Sequence, residues 1–318
     1  MKVLVICTNA TEGGALTILR SFIKEAEGDD SNRYIFLTSV NITVKSPNTQ
    51  ILKVKRPGWV RRIYFEFVGC KRYIEKIHPD LVLSLQNTLP NMKVSKKYLY
   101  VHQALPFQNI RRYSLFKKEE RGLAIRQQIL GARIKKSCRR ADKIIVQTKW
   151  MKKAIISSCS VEQSKIEVRR PVLYISNKIL KKKTNINYHS FFYPTSHYLY
   201  KNNDALINAA NILIKNGITD FRLELTLDGI STKNIKYLGQ ISHDEVMKKY
   251  KESVLVFPSL FESYGLPLAE ARLLGGIILA ADTPYSREVL NDYDNVVFFD
   301  PIDVAKIAEA MKGCMYEK

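Results

Sequence analysis

The sequence predicts an α/β protein built from two halves, each with a parallel sheet. The chain has 318 residues, about twice the usual size of one domain. Short apolar, β-branched runs alternate with longer segments of helical period, and this alternation starts again in the second half. A polar, basic stretch without periodicity separates the halves. We therefore expect an N-terminal domain at residues 1–172, a linker at 173–188 and a C-terminal domain at 189–318.

The apolar runs and the turn residues between them place the elements of each half. In the first half they predict a helix at 15–26 and strands at 2–7, 34–39, 80–85, 97–101 and 143–147. In the second half they predict strands at 190–193, 222–228, 254–257, 276–280 and 295–299, with helices at 204–215, 243–252 and 267–275.

Composition limits the class of protein. The hydrophobic fraction of 46% and the charged fraction of 25% are those of a globular chain. No apolar run approaches the ~18 residues that a membrane span needs. The short N-terminal apolar run lacks a cleavage site, which indicates a strand rather than a signal peptide, and five scattered cysteines are typical of free thiols in a reducing compartment. We expect a cytoplasmic protein, with a peripheral position on the inner face of the plasma membrane as the alternative.

The net charge is the unusual bulk property. Fifty-one Lys and Arg against 30 Asp and Glu give +21. Such an excess favours an anionic partner, which can be nucleic acid, a phosphorylated ligand or the anionic face of a bilayer. The sequence lacks a cluster of zinc ligands, an RNP-type aromatic motif and a basic helix with the pattern of one that binds in a DNA groove. No nucleic acid is therefore expected as a partner.

The most specific pattern lies at residues 257–276, FPSLFESYGLPLAEARLLGG. The apolar strand ends at Pro258, a loop with Gly265 follows, and Pro267 lies where a helix would begin. The amides and the positive dipole end of such a helix would face the carboxyl edge of a parallel sheet, where a diphosphate binds well.

Two glutamates frame this turn. Glu262 lies in the loop and Glu270 about one turn into the helix. Ionised carboxylates accept charge-assisted hydrogen bonds from sugar and ribose hydroxyls. By spacing alone, two exposed surface glutamates are the commoner outcome. The surrounding Pro-Ser, Gly-Leu-Pro and Glu-Ala residues favour a nucleotide-sugar site instead.

This segment resembles the E-x7-E signature of retaining glycosyltransferases of GT-B fold, in particular the large family 4. Residues 191–210, FFYPTSHYLYKNNDALINAA, are similar to the opening of that family's C-terminal domain. Residues 236–241 (KYLGQI) and 147–151 (QTKWM) resemble further family segments in the family's order. The resemblance spans nearly the whole chain and implies an α/β architecture of two Rossmann-like domains facing across a cleft.

The resemblance also implies roles for residues of the second half. It assigns Glu270 to the ribose, Glu262 to the donor sugar and Lys201 to the diphosphate. The remaining donor contacts would come from the backbone N–H groups of Ser263, Tyr264, Gly265 and Leu266. The family usually carries an arginine five residues before this lysine, whereas this chain has Ser196.

Two positions of the first half belong to the same resemblance. His102 follows an apolar strand, where the family places a histidine against the donor sugar. Gly13 and Gly14 follow the first strand and match the family's flexible loop near the donor phosphates, although a plain turn before a helix explains them equally well. They do not form a G-x-G-x-x-G pattern, and no acid closes the second strand, so a dehydrogenase is not favoured.

No metal or other cofactor is expected. Asp292-Tyr293-Asp294 formally matches a D-x-D metal motif, but it lies late in an Asn/Asp-rich segment, which indicates a turn. Lys201 and the helix terminus would hold the diphosphate instead.

The basic segment 111–153 has two interpretations. It carries Leu123, Ile125, Ile129, Leu130 and Ile134 at near-helical spacing, which is typical of a solvated cationic helix with a core stripe. Together with Trp59, Arg61 and Arg62, it can equally form a surface that rests on anionic lipid.

The sequence thus predicts a retaining glycosyltransferase. The expected reaction moves a hexose from a nucleotide-sugar to a glycan acceptor, lipid-linked, in bacterial surface polysaccharide synthesis, and the expected partners are these two substrates and an anionic membrane surface. The alternatives are a basic nucleic-acid-binding protein and a catalytically silent GT-B relative.

Overall fold

The computed structural model describes residues 1–11, 13–54, 69–173, 175–181 and 184–316. The chain divides into two compact units, Met1–Val172 and Leu173–Lys318. Each unit is a parallel sheet with helices, which confirms the predicted α/β fold class. Trp59, Arg61 and Arg62 lie outside the described residues. Across those ranges, no helix has both the length and the apolar character of a membrane span.

The first unit contains a seven-stranded parallel sheet in the order β3-β2-β1-β4-β5-β6-β7. Its strands are β1 (Lys2–Cys7), β2 (Arg33–Thr38), β3 (Thr49–Lys53), β4 (Leu81–Ser84), β5 (Lys96–Val101), β6 (Lys143–Val146) and β7 (Ile166–Val168). Its helices are α1 (Gly13–Glu27), α2 (Cys70–Ile77), α3 (Arg121–Ala124), α4 (Gly131–Arg140) and α5 (Lys149–Cys159), and a π-helix (Ile125–Leu130) joins α3 to α4.

The core of this unit lies on both faces of the sheet. Alternate residues of β1 point to opposite faces, so Val3 and Val5 join the cluster of α1 while Leu4 and Ile6 join the cluster of α2. A strand covered on both faces reads as a continuous apolar run, which is why β1 is evident in the sequence.

The second unit contains a six-stranded parallel sheet in the order β10-β9-β8-β11-β12-β13. Its strands are β8 (Asn187–Tyr193), β9 (Arg222–Leu225), β10 (Ile235–Tyr237), β11 (Ser253–Phe257), β12 (Ile278–Ala281) and β13 (Val296–Phe299). Its helices are α6 (Asn177–Lys181), α7 (Asn203–Lys215), α8 (His243–Glu252), α9 (Leu266–Leu273), α10 (Pro284–Val289) and α11 (Val304–Tyr316), and a 3₁₀ turn spans Leu199–Lys201.

Strands β8 and β11 are neighbours in the centre of this sheet and run parallel. Their last residues, Tyr193 and Phe257, are fully buried, and their rings meet edge-on at 5.4 Å. The loops that follow the two strands therefore leave from the same edge of the sheet. This arrangement brings segments 194–201 and 258–265 together, although about sixty residues separate them in sequence.

The structure differs from the sequence prediction at several elements, among them the following three. The edge strands β3 and β7 were not predicted, because each is short and carries polar residues on its exposed side. The segment predicted as a linker, from its lack of periodicity, contains helix α6. The predicted core stripe is wrong at Ile129, which is 58% exposed, because the wider turns of the π-helix shift it away from buried Leu123 and Ile134.

Close packing next to the central strands gives a stability prediction. A Cβ added to Gly276 would lie 2.9 Å from the backbone oxygen of Tyr250 and 3.2 Å from that of Ala271. We expect Gly276→Ala to lower the free energy of unfolding by about 1–3 kcal/mol, because backbone atoms cannot give way cheaply. Urea unfolding measures this difference. Gly122→Ala, a helical position with open space around its Cβ, is the control and should be neutral or mildly stabilising.

Candidate functional site

The segment at residues 253–273 folds as a strand, a loop and a helix. Every residue of β11 is buried, and α9 begins directly after Gly265, which has a φ of 88°. This left-handed conformation favours glycine, and a Cβ here would also lie 3.2 Å from the ring of Tyr285. Among the described residues no side chain caps α9, and Pro267 in its first turn carries no N–H. The amide of Leu268 already donates to the carbonyl oxygen of Gly265 at 3.0 Å, so within this turn the amide of Leu266 remains available to an anion.

Lys201 and Glu262 form an ion pair at the edge of this sheet. The Nζ atom of Lys201 donates to Oε1 of Glu262 at 2.6 Å, and each side chain is only 17% exposed. Ser259 Oγ donates to the same carboxylate oxygen at 2.7 Å. The structure thus brings two predicted site residues into direct contact.

Backbone contacts hold the two loops that carry this pair. The amide of Leu260 donates to the carbonyl oxygen of Tyr200 at 2.8 Å. The hydroxyl of Tyr193 donates to the carbonyl of Lys201 at 2.9 Å, and that of Tyr285 donates to the carbonyl of Ser259 at 2.6 Å. Because the hydroxyls belong to fully buried rings, the position of the ion pair is fixed from the core.

Glu270 lies largely buried on α9, with its side chain 13% exposed. The hydroxyl of Tyr250 donates to its Oε2 at 3.4 Å, and Nε2 of His243 lies 4.0 Å from its Oε1. Burial disfavours the ionised form and raises the pKa of Glu270 to about 7. A carboxyl with this pKa changes its charge close to neutral pH.

His243 is a neighbour that sequence reasoning missed. It is the first residue of α8, after a capping box made by Ser242 and Glu245. The helix itself was predicted at 243–252 from its helical period. That period carried no information on Glu270, because this contact joins two different helices.

The other residues assigned to the donor occupy the loop and the first turn of α9. Tyr264 and Gly265 are buried, and Ser263 and Leu266 are half-buried. Ser196 holds its loop through its carbonyl oxygen, which accepts from Nδ2 of Asn203 at 2.8 Å. Asp292 has a φ of 57° in a turn. In the ranges that the structure covers, no group of three or more His, Cys, Asp and Glu residues could hold a metal.

His102 lies directly after β5, at the carboxyl edge of the first sheet. Its backbone N–H donates to Oδ1 of Asn87 at 2.7 Å, so the Nδ2 group of Asn87 faces the ring nitrogen Nε2 at 3.3 Å. Nε2 is then the acceptor, and the ring proton resides on Nδ1. Burial lowers the pKa of His102 to about 4, so the ring is neutral at physiological pH. Nδ1 is buried and has no hydrogen-bond partner among the described residues.

Gly13 and Gly14 begin α1, near the same edge of the first sheet. The turn before them is linked to β4, because Asn9 Nδ2 and Thr8 Oγ1 both lie 3.0 Å from Oε1 of Gln86. The loop after β1 is therefore fixed to the neighbouring strand end. Both interpretations of the glycine pair, phosphate loop and plain turn, fit this geometry.

Residues 178–316 match the family described as Glycosyl transferases group 1. The second unit carries a glycosyl transferases group 1 domain. This match agrees with the family resemblance of the E-x7-E segment, which lies inside the glycosyltransferase domain.

Curated and solved relatives extend the likeness to both units. The O-antigen chain mannosyltransferase RfbU of Salmonella typhimurium is 24% identical over 292 residues, covering 88% of this chain and 76% of that protein. The sucrose-phosphate synthase of Thermosynechococcus elongatus matches with a TM-score of 0.68 at 14% identity, covering 100% of this chain and 90% of its own. Anabaena HepE, solved with UDP and glucose, gives 0.66 at 14% identity with the same coverage. These structural likenesses show a shared fold.

The raised pKa of Glu270 predicts a pH-dependent stability. The folded carboxyl holds its proton up to about pH 7, whereas its unperturbed value is 4.5. The group therefore favours folding at low pH, and this contribution is lost as the pH rises from about 4.5 through 7. Gln at position 270 stays uncharged at every pH. Between pH 5 and pH 8 we therefore expect the free energy of unfolding of Glu270→Gln to rise, relative to that of the wild type, by on the order of 1–3 kcal/mol.

Urea unfolding at pH 5 and pH 8 measures this difference. Glu309→Gln, a change at a side chain that is 64% exposed on α11, is the matched control and should follow the wild type at both pH values. If the free energies of unfolding of Glu270→Gln and of the wild type change by the same amount between pH 5 and pH 8, the raised pKa of Glu270 is contradicted.

Proposed function

We propose that this protein is a retaining glycosyltransferase that moves a hexose from a nucleotide-sugar to a lipid-linked glycan acceptor in bacterial surface polysaccharide synthesis. The Lys201–Glu262 pair, placed beside the uncapped start of α9 inside a glycosyl transferases group 1 domain, carries this proposal. It supplies a cation for a diphosphate and a carboxylate for sugar hydroxyls at one sheet edge. The O-antigen mannosyltransferase and the UDP complex of the relatives support the reaction class.

Donor binding exchanges one partner of Lys201 for another. In the structure the ammonium contacts Glu262. The diphosphate of the donor would take the place of Glu262 opposite Lys201, beside the amide of Leu266 at the start of α9. Glu262, still held by Ser259, would then accept hydrogen bonds from the donor sugar. Glu270 would accept from the ribose hydroxyls.

The proposed reaction is a front-face displacement. The bond between the anomeric carbon and the diphosphate oxygen breaks, the acceptor oxygen bonds to the same face of that carbon, and the departing diphosphate takes the acceptor proton. Negative charge develops on the diphosphate, so Lys201 and the helix amides stabilise the transition state more than the bound donor. This proposal needs no metal or other cofactor.

His102 contributes a neutral hydrogen-bonding group in this scheme. With its pKa near 4 the ring is not a proton donor at pH 7, so its assigned contact with the donor sugar would be that of a neutral ring. Gly13 and Gly14 would let the backbone approach the donor phosphates.

Replacing Lys201 tests the central step. We expect Lys201→Ala to lower kcat by at least tenfold with a smaller effect on the KM for the donor, because the ammonium acts mainly on developing charge. Steady-state kinetics with the nucleotide-sugar identified by a thermal-shift screen measures both constants. Lys306→Ala, which removes a lysine from the exposed pair with Glu309, is the control and should leave both unchanged.

Two results would count against the proposal. Normal turnover of Lys201→Ala would remove the assigned role of this lysine. Inversion of the anomeric configuration in the product, read by NMR coupling constants, would exclude retention.

A peripheral membrane position completes the proposal. Among the basic residues 110–129, the apolar side chains of Ile110, Phe116 and Ile129 are 49%, 92% and 58% exposed. Cationic and apolar side chains on one surface are typical of proteins that rest on anionic lipid. We expect cosedimentation with phosphatidylglycerol vesicles at low salt, and binding that is equal on neutral vesicles would contradict this.

A further inference from the structure

The first unit has an open pocket of about 460 Å³ between residues 106–112 and the helical segment 127–135. Its charged lining comes from Arg111, Arg112 and Lys135, and amides from Gln127 and Gln128 add to it. No carboxylate lies among its described lining residues. The volume is within the range of ligand sites, and the uniform sign of the charge points to an anion.

A clamp of glutamines fixes the backbone at the rim of this pocket. Gln108 Oε1 accepts from the amides of Ile110 and Arg111 at 2.7 and 2.9 Å. Gln127 accepts from the amide of Tyr113 at 2.9 Å and donates to the carbonyl of Arg111 at 2.8 Å. The segment that carries the two arginines is therefore held before any ligand arrives.

The π-helix makes this clamp possible. Gln128 also reaches the same backbone, since its Nε2 donates to the carbonyl of Tyr113 at 2.8 Å. Gln127 and Gln128 are adjacent in sequence, and both lie within Ile125–Leu130. The wider turn of a π-helix, which is frequent at functional sites, places neighbouring side chains nearer to one face than an α-helix does.

The three cations differ in how far they are already neutralised. Arg111 is paired with Glu120 at 2.5 Å and lies over the ring of Tyr113. Arg112 is exposed and Lys135 is half-buried, 5.9 Å from the ring centroid of Phe107. Within the described ranges neither has a carboxylate partner. Two positive charges therefore face the pocket without compensation.

We propose that this pocket is an anion site for the phosphate or diphosphate group of the lipid carrier that bears the acceptor glycan. This inference rests on the lipid-linked acceptor of the proposed function. Arg112 would bind two phosphate oxygens through its planar guanidinium, and Lys135 would supply a second charge. Ile110 and Ile129, exposed and each next in sequence to a lining residue, would contact the apolar chain of the carrier.

Pyrophosphate binding to the full-length chain tests the site. Because Lys201 is proposed to bind a diphosphate too, the measurement is made by isothermal titration calorimetry in the Lys201→Ala background. We expect binding to persist there and to weaken at least tenfold when Arg112→Ala and Lys135→Ala are added. Lys118→Ala with Lys136→Ala removes the same charge at exposed positions outside the pocket and should leave the affinity within twofold.

The same set of variants separates the two proposals. If Arg112→Ala with Lys135→Ala abolishes all binding and Lys201→Ala changes nothing, the pocket is supported and the diphosphate role of Lys201 fails. If Arg112→Ala with Lys135→Ala and the control Lys118→Ala with Lys136→Ala weaken pyrophosphate binding equally, the effect is one of net charge, and the pocket inference is overturned.

Vesicles distinguish the source of the phosphate. Neutral phosphatidylcholine vesicles that contain polyprenyl diphosphate are compared with vesicles of equal charge that contain phosphatidylglycerol. We expect the Arg112→Ala and Lys135→Ala changes to weaken cosedimentation with the first at least fivefold more than with the second. An equal loss on both would assign these residues to general lipid adsorption and overturn the inference.

Discussion

The contact between Lys201 and Glu262 is the interaction on which the proposed chemistry depends. Two opposite charges lie 2.6 Å apart with little exposure to solvent. Removing one partner from such a pair leaves a desolvated charge, which costs far more than the pair itself contributes. The pair is therefore weak evidence for stability. In the proposed reaction it would keep a cation in position until the donor diphosphate binds.

In the proposed reaction, this arrangement would affect turnover more than donor binding. A donor diphosphate that reaches Lys201 gains one charge-assisted contact and breaks another, so the net gain in the ground state is small. As the diphosphate departs, its charge grows, and the same ammonium becomes worth more. The fixed loops matter here, because buried hydroxyls of Tyr193 and Tyr285 hold the carbonyls on either side. A lysine on a free surface loop would lack this positioning.

Burial acts in the same way on two groups that differ in charge type. It raises the pKa of Glu270 and lowers the pKa of His102, so each group moves toward its neutral form. The histidine is then a hydrogen-bonding group at every physiological pH, whereas the glutamate changes its charge near pH 7. Neither shift could be read from the sequence, because each depends on atoms that surround the side chain in space.

The helices and strands that could be predicted from the sequence are those with a clear local pattern of apolar residues. Central strands β1 and β11 and the last three residues of β8 are buried and appear as apolar runs, and α8 was predicted with the bounds that it has in the structure. The edge strands β3 and β7 lack that signal because one side is exposed and polar. The contact between Lys201 and Glu262 joins residues 61 positions apart, and that between His243 and Glu270 joins two helices. Such pairs require the sheet order, which no local pattern contains.

The net charge of +21 is a second property whose meaning depends on the three-dimensional structure. Counted along the chain, every lysine and arginine favours an anionic partner equally. In space, many are already neutralised, as Lys249 is by Glu224 and Arg287 by Asp282. What distinguishes Arg112 and Lys135 is not that they are basic but that a pocket without carboxylates surrounds them. The π-helix beside them departs from regular helix geometry, and its Gln127 and Gln128 hold the backbone on either side of Arg112 by hydrogen bonds. A π-helical turn is frequent at functional sites, which is consistent with the proposed anion site.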